Sequence, residues 1–173
     1  MESNLFALAY VSRRNPYEGG LSLEGTLRSI LSTSRRNNSL FGITGALMVS
    51  HSNFSQIIEG KREAVDAIFS KIQCDSRHRD LRVLYVKRIA KRDFPHWSMA
   101  MGGISNHPTL CVDAAISDPY GAAATKIRTH LVSVLQNPVE EEESGLLRSL
   151  KIPIKPWENV RDVFSDPKYP LPS

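Results

Sequence analysis

The segment that most restricts the fold is an apolar stretch near the start of the chain, Leu5 to Ser12. On a β-strand successive side chains point to opposite faces, and here both alternating sets are apolar. These sets are Leu5, Ala7, Ala9 and Val11 on one face and Phe6, Leu8 and Tyr10 on the other. A strand with two apolar faces has to be covered on both. The sequence therefore predicts a central strand with other elements packed on each side of its sheet.

Apolar periodicity divides the first 105 residues into five strands and two helices, in the order β-α-β-β-α-β-β. The predicted strands are 5–12, 41–49, 54–59, 81–89 and 97–104, and the predicted helices are 22–36, capped by Ser22, and 62–74. This order predicts an α+β fold of the ferredoxin-like type. Two helices would pack on one face of a mostly antiparallel sheet.

Residues 106–173 read as a separate C-terminal helical extension, so the chain divides into residues 1–105 and 106–173. Residues 106–118 show little periodicity and predict a connector. Residues 119–136 predict a helix whose apolar stripe needs a partner, either the exposed sheet face or a second copy of the chain. The acidic run 140–143 begins a predicted short helix to about residue 150. The prolines after residue 152 predict an extended tail.

The residues from Asn37 to Gly60 carry the candidate chemistry. Asn37 and Asn38 stand at the predicted end of the first helix, and Gln56 lies on the third strand. Amides do not titrate, so they serve poorly as acid or base catalysts, but they offer both donors and acceptors to a flat heterocycle. This pattern favours a planar cofactor over hydrolysis. The simpler alternative is that the two asparagines only terminate the helix.

Length and composition exclude several other classes. The 173 residues carry a net charge of +4, a modest excess that is more typical of a solvated surface than of nucleic-acid binding. No apolar run could span a bilayer, and the N-terminus does not resemble a secretory signal. We therefore expect a cytoplasmic location with Cys74 and Cys111 as free thiols. His78 with Cys74 would supply too few ligands for a closed zinc site, so no metal is expected.

Six short motifs follow one another along residues 4–104. They are Tyr10-Val11-Ser12, the Asn37-Asn38 pair leading into Gly42-Ile43-Thr44-Gly45, Phe54-x-Gln56-x-x-Glu59-Gly60, Asp75-x-Arg77-His78, Arg92-x-Phe94 and Trp97-Ser98-Met99. In this order and at these spacings the segment resembles the BLUF family, blue-light sensors that use FAD. One departure is the loop at residues 15–20, which lengthens the separation between the tyrosine and the asparagines.

The resemblance implies a set of cofactor-binding and photoactive residues. It implies that FAD is held without a covalent bond, with Asn38 at the pyrimidine edge of the flavin and Arg77 toward its phosphate side. The implied cofactor-binding residues are Tyr10, Asn37, Asn38, Gln56, Arg77 and His78, and the implied photoactive residues are Tyr10, Gln56, Trp97 and Met99. No residue is expected to act as a catalyst.

The resemblance also implies a mechanism. In the family, the light-excited flavin draws an electron and a proton from the tyrosine through the glutamine. The pair then recombines and leaves the glutamine rotated or tautomerised, so that a new hydrogen bond to the flavin shifts its absorption to the red. Trp97 and Met99 lie two residues apart, so on a strand they share a face. They would pass the change to the outer strand.

The expected output is binding rather than catalysis. About 68 residues follow residue 105, too few for a cyclase or phosphodiesterase domain. We therefore expect a short stand-alone sensor, not an enzyme, that signals to a downstream protein in trans. A homo-oligomer is expected, with no direct nucleic-acid or membrane partner.

Two alternatives remain open on the sequence alone. One is a ferredoxin-fold enzyme, such as a small acyl-phosphate hydrolase, with Arg13 and Arg14 near the first strand. The Gly-rich phosphate loop that such an enzyme needs before them is missing. The other is an RNA-binding module, but the strands lack the basic aromatic run that such sheets display.

Overall fold

A computed structural model describes residues 4–15, 23–50, 52–96, 99–104 and 111–136. The elements are β1 (Leu5–Arg14), α1 (Leu23–Leu40), β2 (Thr44–Val49), β3 (Asn53–Lys61), α2 (Arg62–Gln73), β4 (His78–Arg88), β5 (Ala100–Ile104), α3 (Val112–Ser117) and α4 (Ala122–Gln136). The predicted α+β class and the order β-α-β-β-α-β-β are confirmed. The predicted helix at 140–150 and the Pro-rich tail lie outside the described residues.

The five strands form one sheet in the order β4-β1-β3-β2-β5. Every neighbouring pair is antiparallel except β2 and β5, which run parallel. The central strands β1 and β3 place Tyr10 directly opposite Gln56. Because opposite residues of an antiparallel pair point to the same side, these two side chains share one face of the sheet.

Each face of the sheet carries its own buried core. The first core lies under α1 and α2 and comprises Leu8, Tyr10, Leu27, Ile30, Leu31, Ile43, Leu47, Val49, Phe54, Ile58, Val65, Ile68 and Met99. The second core lies under α3 and α4 and comprises Ala9, Val11, Ala46, Met48, Ile57, Leu84, Phe94, Val112, Ala115, Ile116, Ala124, Ile127 and Leu131. Leu8 and Tyr10 thus enter one core while Ala9 and Val11 enter the other. This is the arrangement that the doubly apolar first strand predicts.

The C-terminal helices explain how the second face is covered. Of the two partners considered for the helix at 119–136, the sheet face is the one observed, because Ile127 and Leu131 are fully buried against it. The connector predicted for 106–118 is wrong in part, since Val112–Ser117 forms α3. Six residues are too short to show a helical period in the sequence, and α3 is stabilised mainly by burial of its apolar side chains.

Element boundaries differ from the predicted ones where turn geometry decides them. Helix α1 continues four residues past Arg36, so Asn37 and Asn38 lie in its last turns rather than after it. Strand β2 begins at Thr44 because Gly42, with φ of +61°, turns the chain, a conformation in which glycine is favoured. Strand β4 begins at His78, three residues before the predicted start at residue 81.

Three further expectations concern membranes, thiols and metals. None of the helices in the described ranges is long and apolar enough to cross a bilayer. Cys74 and Cys111 are both free and exposed. Over the same ranges, no group of three or more His, Cys, Asp or Glu side chains could hold a metal ion.

Candidate functional site

A cleft with a cavity volume of about 150 Å³ opens between α1, α2 and the sheet. Its apolar walls are Ile30, Leu47, Phe54, Ile68 and Ile72. All six residues predicted to bind a cofactor line this one cleft: Tyr10, Asn37, Asn38, Gln56, Arg77 and His78. The structure therefore brings the predicted set together, and the role of each residue stays a prediction.

The two asparagines reach the cleft from the end of α1. The backbone carbonyl of Asn38 accepts the Ile43 N–H at 2.7 Å, and that of Asn37 accepts the Phe41 N–H at 3.1 Å. Backbone groups thus end the helix, while both side chains line the cleft. Asn38 is only 1% exposed. Helix termination, the simpler alternative, therefore occurs together with a position suited to binding.

A buried chain of hydrogen bonds runs through Tyr10, Gln56 and Met99. The Tyr10 hydroxyl donates a hydrogen bond to Gln56 Oε1. On the other side of the amide, Gln56 Nε2 lies 3.3 Å from Met99 Sδ and donates to it. A thioether sulfur is a weak acceptor. The amide nitrogen is therefore held more weakly than the amide oxygen, which accepts from a hydroxyl.

The surroundings of Tyr10 keep its hydroxyl protonated. Burial raises its pKa well above the ordinary value for tyrosine, and the negative charge of Asp75 raises it further. The rings of Phe69 and His78 lie 5.8 Å and 6.0 Å from the Tyr10 ring, centroid to centroid. In the ground state Tyr10 is thus a neutral donor to the amide.

Arg77 reaches the cleft already paired with Asp75. Its Nε donates to Asp75 Oδ1 at 2.8 Å and to Oδ2 at 3.0 Å, and its Nη1 donates to Ser29 Oγ at 3.1 Å. Burial by itself would raise the pKa of Asp75, but the Arg77 hydrogen bonds outweigh it and lower that pKa. The Asp75 carboxylate therefore balances much of the positive charge that Arg77 was expected to offer a phosphate.

Lys71 is a second cation of the cleft, and the sequence reasoning missed it. It lies on α2, and its Nζ sits 4.8 Å from the centre of the Phe41 ring. Its spacing from Ile68 and Ile72, three residues before it and one after, places it beside the apolar face of α2. That spacing is the signal by which Lys71 could have been found.

His78 is held as a neutral side chain at the start of β4. Its Nδ1 lies 2.8 Å from Ser12 Oγ, and its ring centroid lies 4.8 Å from that of Phe54. Burial is the main cause that lowers its pKa from 6.5 to about 4. His78 therefore offers the cleft a neutral ring across the physiological pH range.

This lowered pKa makes the flavin-free protein lose stability in acid. His78 binds a proton below pH 6.5 when unfolded but only near pH 4 when folded, so its contribution is present above pH 6.5 and lost as pH falls toward 4. Between pH 7 and pH 4.5 the loss is about 2 kcal/mol. Denaturant unfolding at both pH values should show a smaller acid loss in His78→Gln than in the parent. The exposed His96→Gln is the control, and an unchanged loss in His78→Gln would contradict the assignment.

Arg92 binds the ends of two interior strands, β2 and β3, beside the turn that follows α1. Its Nη1 donates to Thr44 Oγ1 and to the Glu59 carbonyl, both at 2.8 Å, and its Nη2 donates to the Gly42 carbonyl at 2.7 Å. The guanidinium therefore joins the start of β2 to the end of β3. The motif Arg92-x-Phe94 carried no assigned role in the sequence, because its partners are distant along the chain.

Glu59 is a fully buried acid with two backbone donors. Its carboxylate oxygens accept the N–H groups of Asp93 and Phe94, each at 3.1 Å. Burial raises the pKa of Glu59 despite these two hydrogen bonds. The acid of the Glu59-Gly60 motif thus holds the loop that follows β4.

Met99 is the last of the predicted photoactive residues that the structure describes. It is buried in the first core, and its carbonyl accepts a long hydrogen bond of 3.5 Å from Arg35 Nε on α1. Trp97 lies outside the described residues, so the structure does not test its predicted role. Of the two, only Met99 is seen beside the glutamine amide.

Comparison with known proteins gives matches in sequence and in fold. A sequence profile described as "BLUF: Sensors of blue-light using FAD" matches residues 5–100. The photoactivated adenylate cyclase subunit beta of Euglena longa is 30% identical over 99 residues, which is 57% of this chain and 11% of that protein. The chain thus spans only about a ninth of that relative.

Two solved structures share the fold. BlrB, a BLUF protein in its dark state, superimposes with a TM-score of 0.62 at 28% identity, over 80% of this chain and all of BlrB. A bacterial light-regulated adenylyl cyclase superimposes with a TM-score of 0.51 at 30% identity, over 76% of this chain and 34% of the cyclase.

Proposed function

Because this chain belongs to the BLUF family, the sensors of blue light using FAD, we propose that it converts light absorption into a change in the hydrogen bonds of Gln56. The observation that supports this proposal is the buried series of hydrogen bonds from the Tyr10 hydroxyl through the Gln56 amide to Met99 Sδ. This series of donors and acceptors lies against the cleft that the predicted cofactor-binding residues line.

The residues of the cleft suit a flavin. Ile30, Leu47 and Ile72 line it with apolar surface that can cover the faces of a flat ring. Asn38 and Gln56 supply amides for a ring edge that alternates carbonyl acceptors with an N–H donor. We infer that Asn38, with Asn37 beside it, holds that edge. Arg77 and His78 would lie along the flavin's edge and phosphate side.

The residues themselves move a proton and turn an amide. FAD, when bound, supplies the absorption of blue light and an excited state that accepts an electron. Oxidation of the Tyr10 ring makes its phenol a strong acid, so the proton moves along the existing hydrogen bond to Gln56 Oε1. The amide then releases its weak contact with Met99 Sδ and turns. Return of an electron and a proton to Tyr10 would restore its phenol, and Gln56 would keep the new orientation until it relaxes in the dark.

The proposed output lies on the opposite face of the sheet. Residues 1–105 would form the sensing domain, and residues 106–173 would form the extension that carries the signal. Support comes from α3 and α4, which pack on the same strands that present Tyr10 and Gln56 to the cleft. We propose that the chain is not an enzyme and signals as a cytoplasmic homo-oligomer to a separate protein. Relatives named as adenylate cyclases make a nucleotide-cyclising enzyme one class of partner to test.

The proposal is tested on protein purified in darkness. We expect a yellow protein that releases FAD on denaturation, and a red-shifted spectrum under blue light that returns fully in the dark. Mass spectrometry should find the cofactor unattached to the chain. A protein that stays colourless after incubation with FAD, or one whose bound FAD shows no reversible shift, would refute the assignment.

A further inference from the structure

Residues 92–94, which follow β4, are tied to the rim of the sheet, at the start of β2 and near the end of β3, by two residues with no role in the proposed function. Arg92 makes three hydrogen bonds of 2.7–2.8 Å to Gly42, Thr44 and Glu59. The Glu59 carboxylate makes two more, to the backbone of residues 93 and 94. Thr44 and Glu59 are opposite residues on β2 and β3. The five hydrogen bonds therefore form one unit, which we call the rim clip.

The rim clip costs folding free energy because it buries the Glu59 carboxylate. Glu59 is fully buried, and a buried carboxylate loses the stabilisation that water gives its charge. Two backbone N–H groups compensate only in part, since burial still raises the pKa of Glu59. An apolar residue here would avoid that cost but would leave the N–H groups of Asp93 and Phe94 without this acceptor. What the acid supplies is thus a fixed position for the loop.

The clip stands between three parts of the light-sensing apparatus. On one side, Gly42 belongs to the turn in which the Ile43 N–H bonds the Asn38 carbonyl. On another, Phe94 lies five residues before Met99, whose sulfur accepts from Gln56 Nε2. On the third, the Phe94 ring is buried in the core formed with α3 and α4.

We propose that Glu59 and Arg92 are positioning residues that set where Met99 can meet Gln56, and so set the lifetime of the light state. This inference rests on the proposed function, because Gln56 has to be the moving amide. By fixing residues 92–94 against the turn that follows α1, the clip would restrict where the chain that leads to Met99 can lie. A looser loop would let Met99 withdraw, and the turned amide would return at a different rate.

The first test compares two acid-to-amide substitutions on the intact protein with FAD bound. In Glu59→Gln the amide nitrogen faces a backbone N–H that needs an acceptor, so one hydrogen bond is lost and one contact becomes repulsive. We expect FAD binding and the red shift to persist while the dark-recovery rate changes at least fivefold. Glu63→Gln is the matched control on the exposed first turn of α2, and its recovery should stay within a factor of 1.5.

Two substitutions of Arg92 give an independent test. Arg92→Gln removes most of the guanidinium contacts, and Arg92→Lys keeps the charge but can reach fewer of the three acceptors. We expect a recovery change of at least fivefold for Arg92→Gln and a smaller change for Arg92→Lys. The exposed neighbour, as Lys91→Gln, is the control. If Glu59→Gln does not fold, the Arg92 pair decides the question.

A readout without flavin separates this proposal from the function it rests on. In protein freed of FAD and labelled at methionine methyl groups, the Met99 signal, assigned with Met99→Leu, should move in Glu59→Gln and in Arg92→Gln but not in either control. A parent that shows no light response would refute the proposed function, while the Met99 signal would still report on the clip. Folded variants with an unmoved Met99 signal and recovery within twofold of the parent would overturn the rim-clip proposal.

Discussion

Tyr10→Phe is expected to bind FAD and to lose the red-shifted state, with an amplitude at least tenfold below that of the parent. The substitution keeps the aromatic ring in the first core and removes the hydroxyl that donates to Gln56 Oε1. Without that hydroxyl the amide has neither the proton nor the electron donor that turns it. Absorption difference spectra under blue light measure the effect. Flavin fluorescence should also rise, because the buried tyrosine no longer quenches the excited state.

A matched control separates this loss from a general loss of packing. Tyr85 lies on β4 and packs against the second core, on the opposite face from the cleft. Tyr85→Phe removes a comparable hydroxyl and should leave the amplitude of the red shift within about 20% of the parent. A normal reversible shift in Tyr10→Phe would refute the role assigned to Tyr10.

Gln56→Leu should abolish the red shift to the same extent for a different reason. Leucine fills a similar volume but has no amide to turn, and it leaves the buried Tyr10 hydroxyl without its acceptor. The latter costs about 1–3 kcal/mol of folding stability. Because Tyr10 can still give up an electron, flavin fluorescence should remain quenched. The combination of lost shift and retained quenching distinguishes this variant from Tyr10→Phe.

The control for Gln56 is an exposed glutamine of the same chain. Gln73 lies at the end of α2 and is exposed to solvent, so Gln73→Leu should keep the shift and its dark recovery. A reversible red shift in Gln56→Leu would show that another group changes its hydrogen bond to the flavin. The assigned switch would then be wrong.

The fold was largely predictable because the spacing of apolar residues indicates most of its strands and helices. The two apolar faces of β1 predict a central strand, and the structure covers them with α1 and α2 on one side and α3 and α4 on the other. What periodicity could not give were the ends of elements. The extension of α1 to Leu40 depends on the turn at Gly42, and α3 is too short to display a period.

The candidate site was predictable to the extent that it could be compared with a family. Motif spacing identified six residues that the structure places around one cleft. Pairwise contacts were beyond such reasoning: the Asp75–Arg77 pair is local, but its effect on the cleft's charge depends on how deeply both residues are buried. The contacts of Glu59 with residues 93 and 94 join segments 34 and 35 positions apart. Only the folded chain shows them.

The second core has an unusual share of alanine, and this bears on how far a small displacement can travel. Ala9 and Ala46 on the strands and Ala115 and Ala124 on the helices are all fully buried there. Alanine has no side-chain rotamers, so such contacts cannot absorb a shift by repacking, and close-packed interiors transmit strain. We therefore expect β1 and β2 to move α3 and α4 as stiff bodies, so that a small displacement of the strands reaches the outer surface almost undiminished.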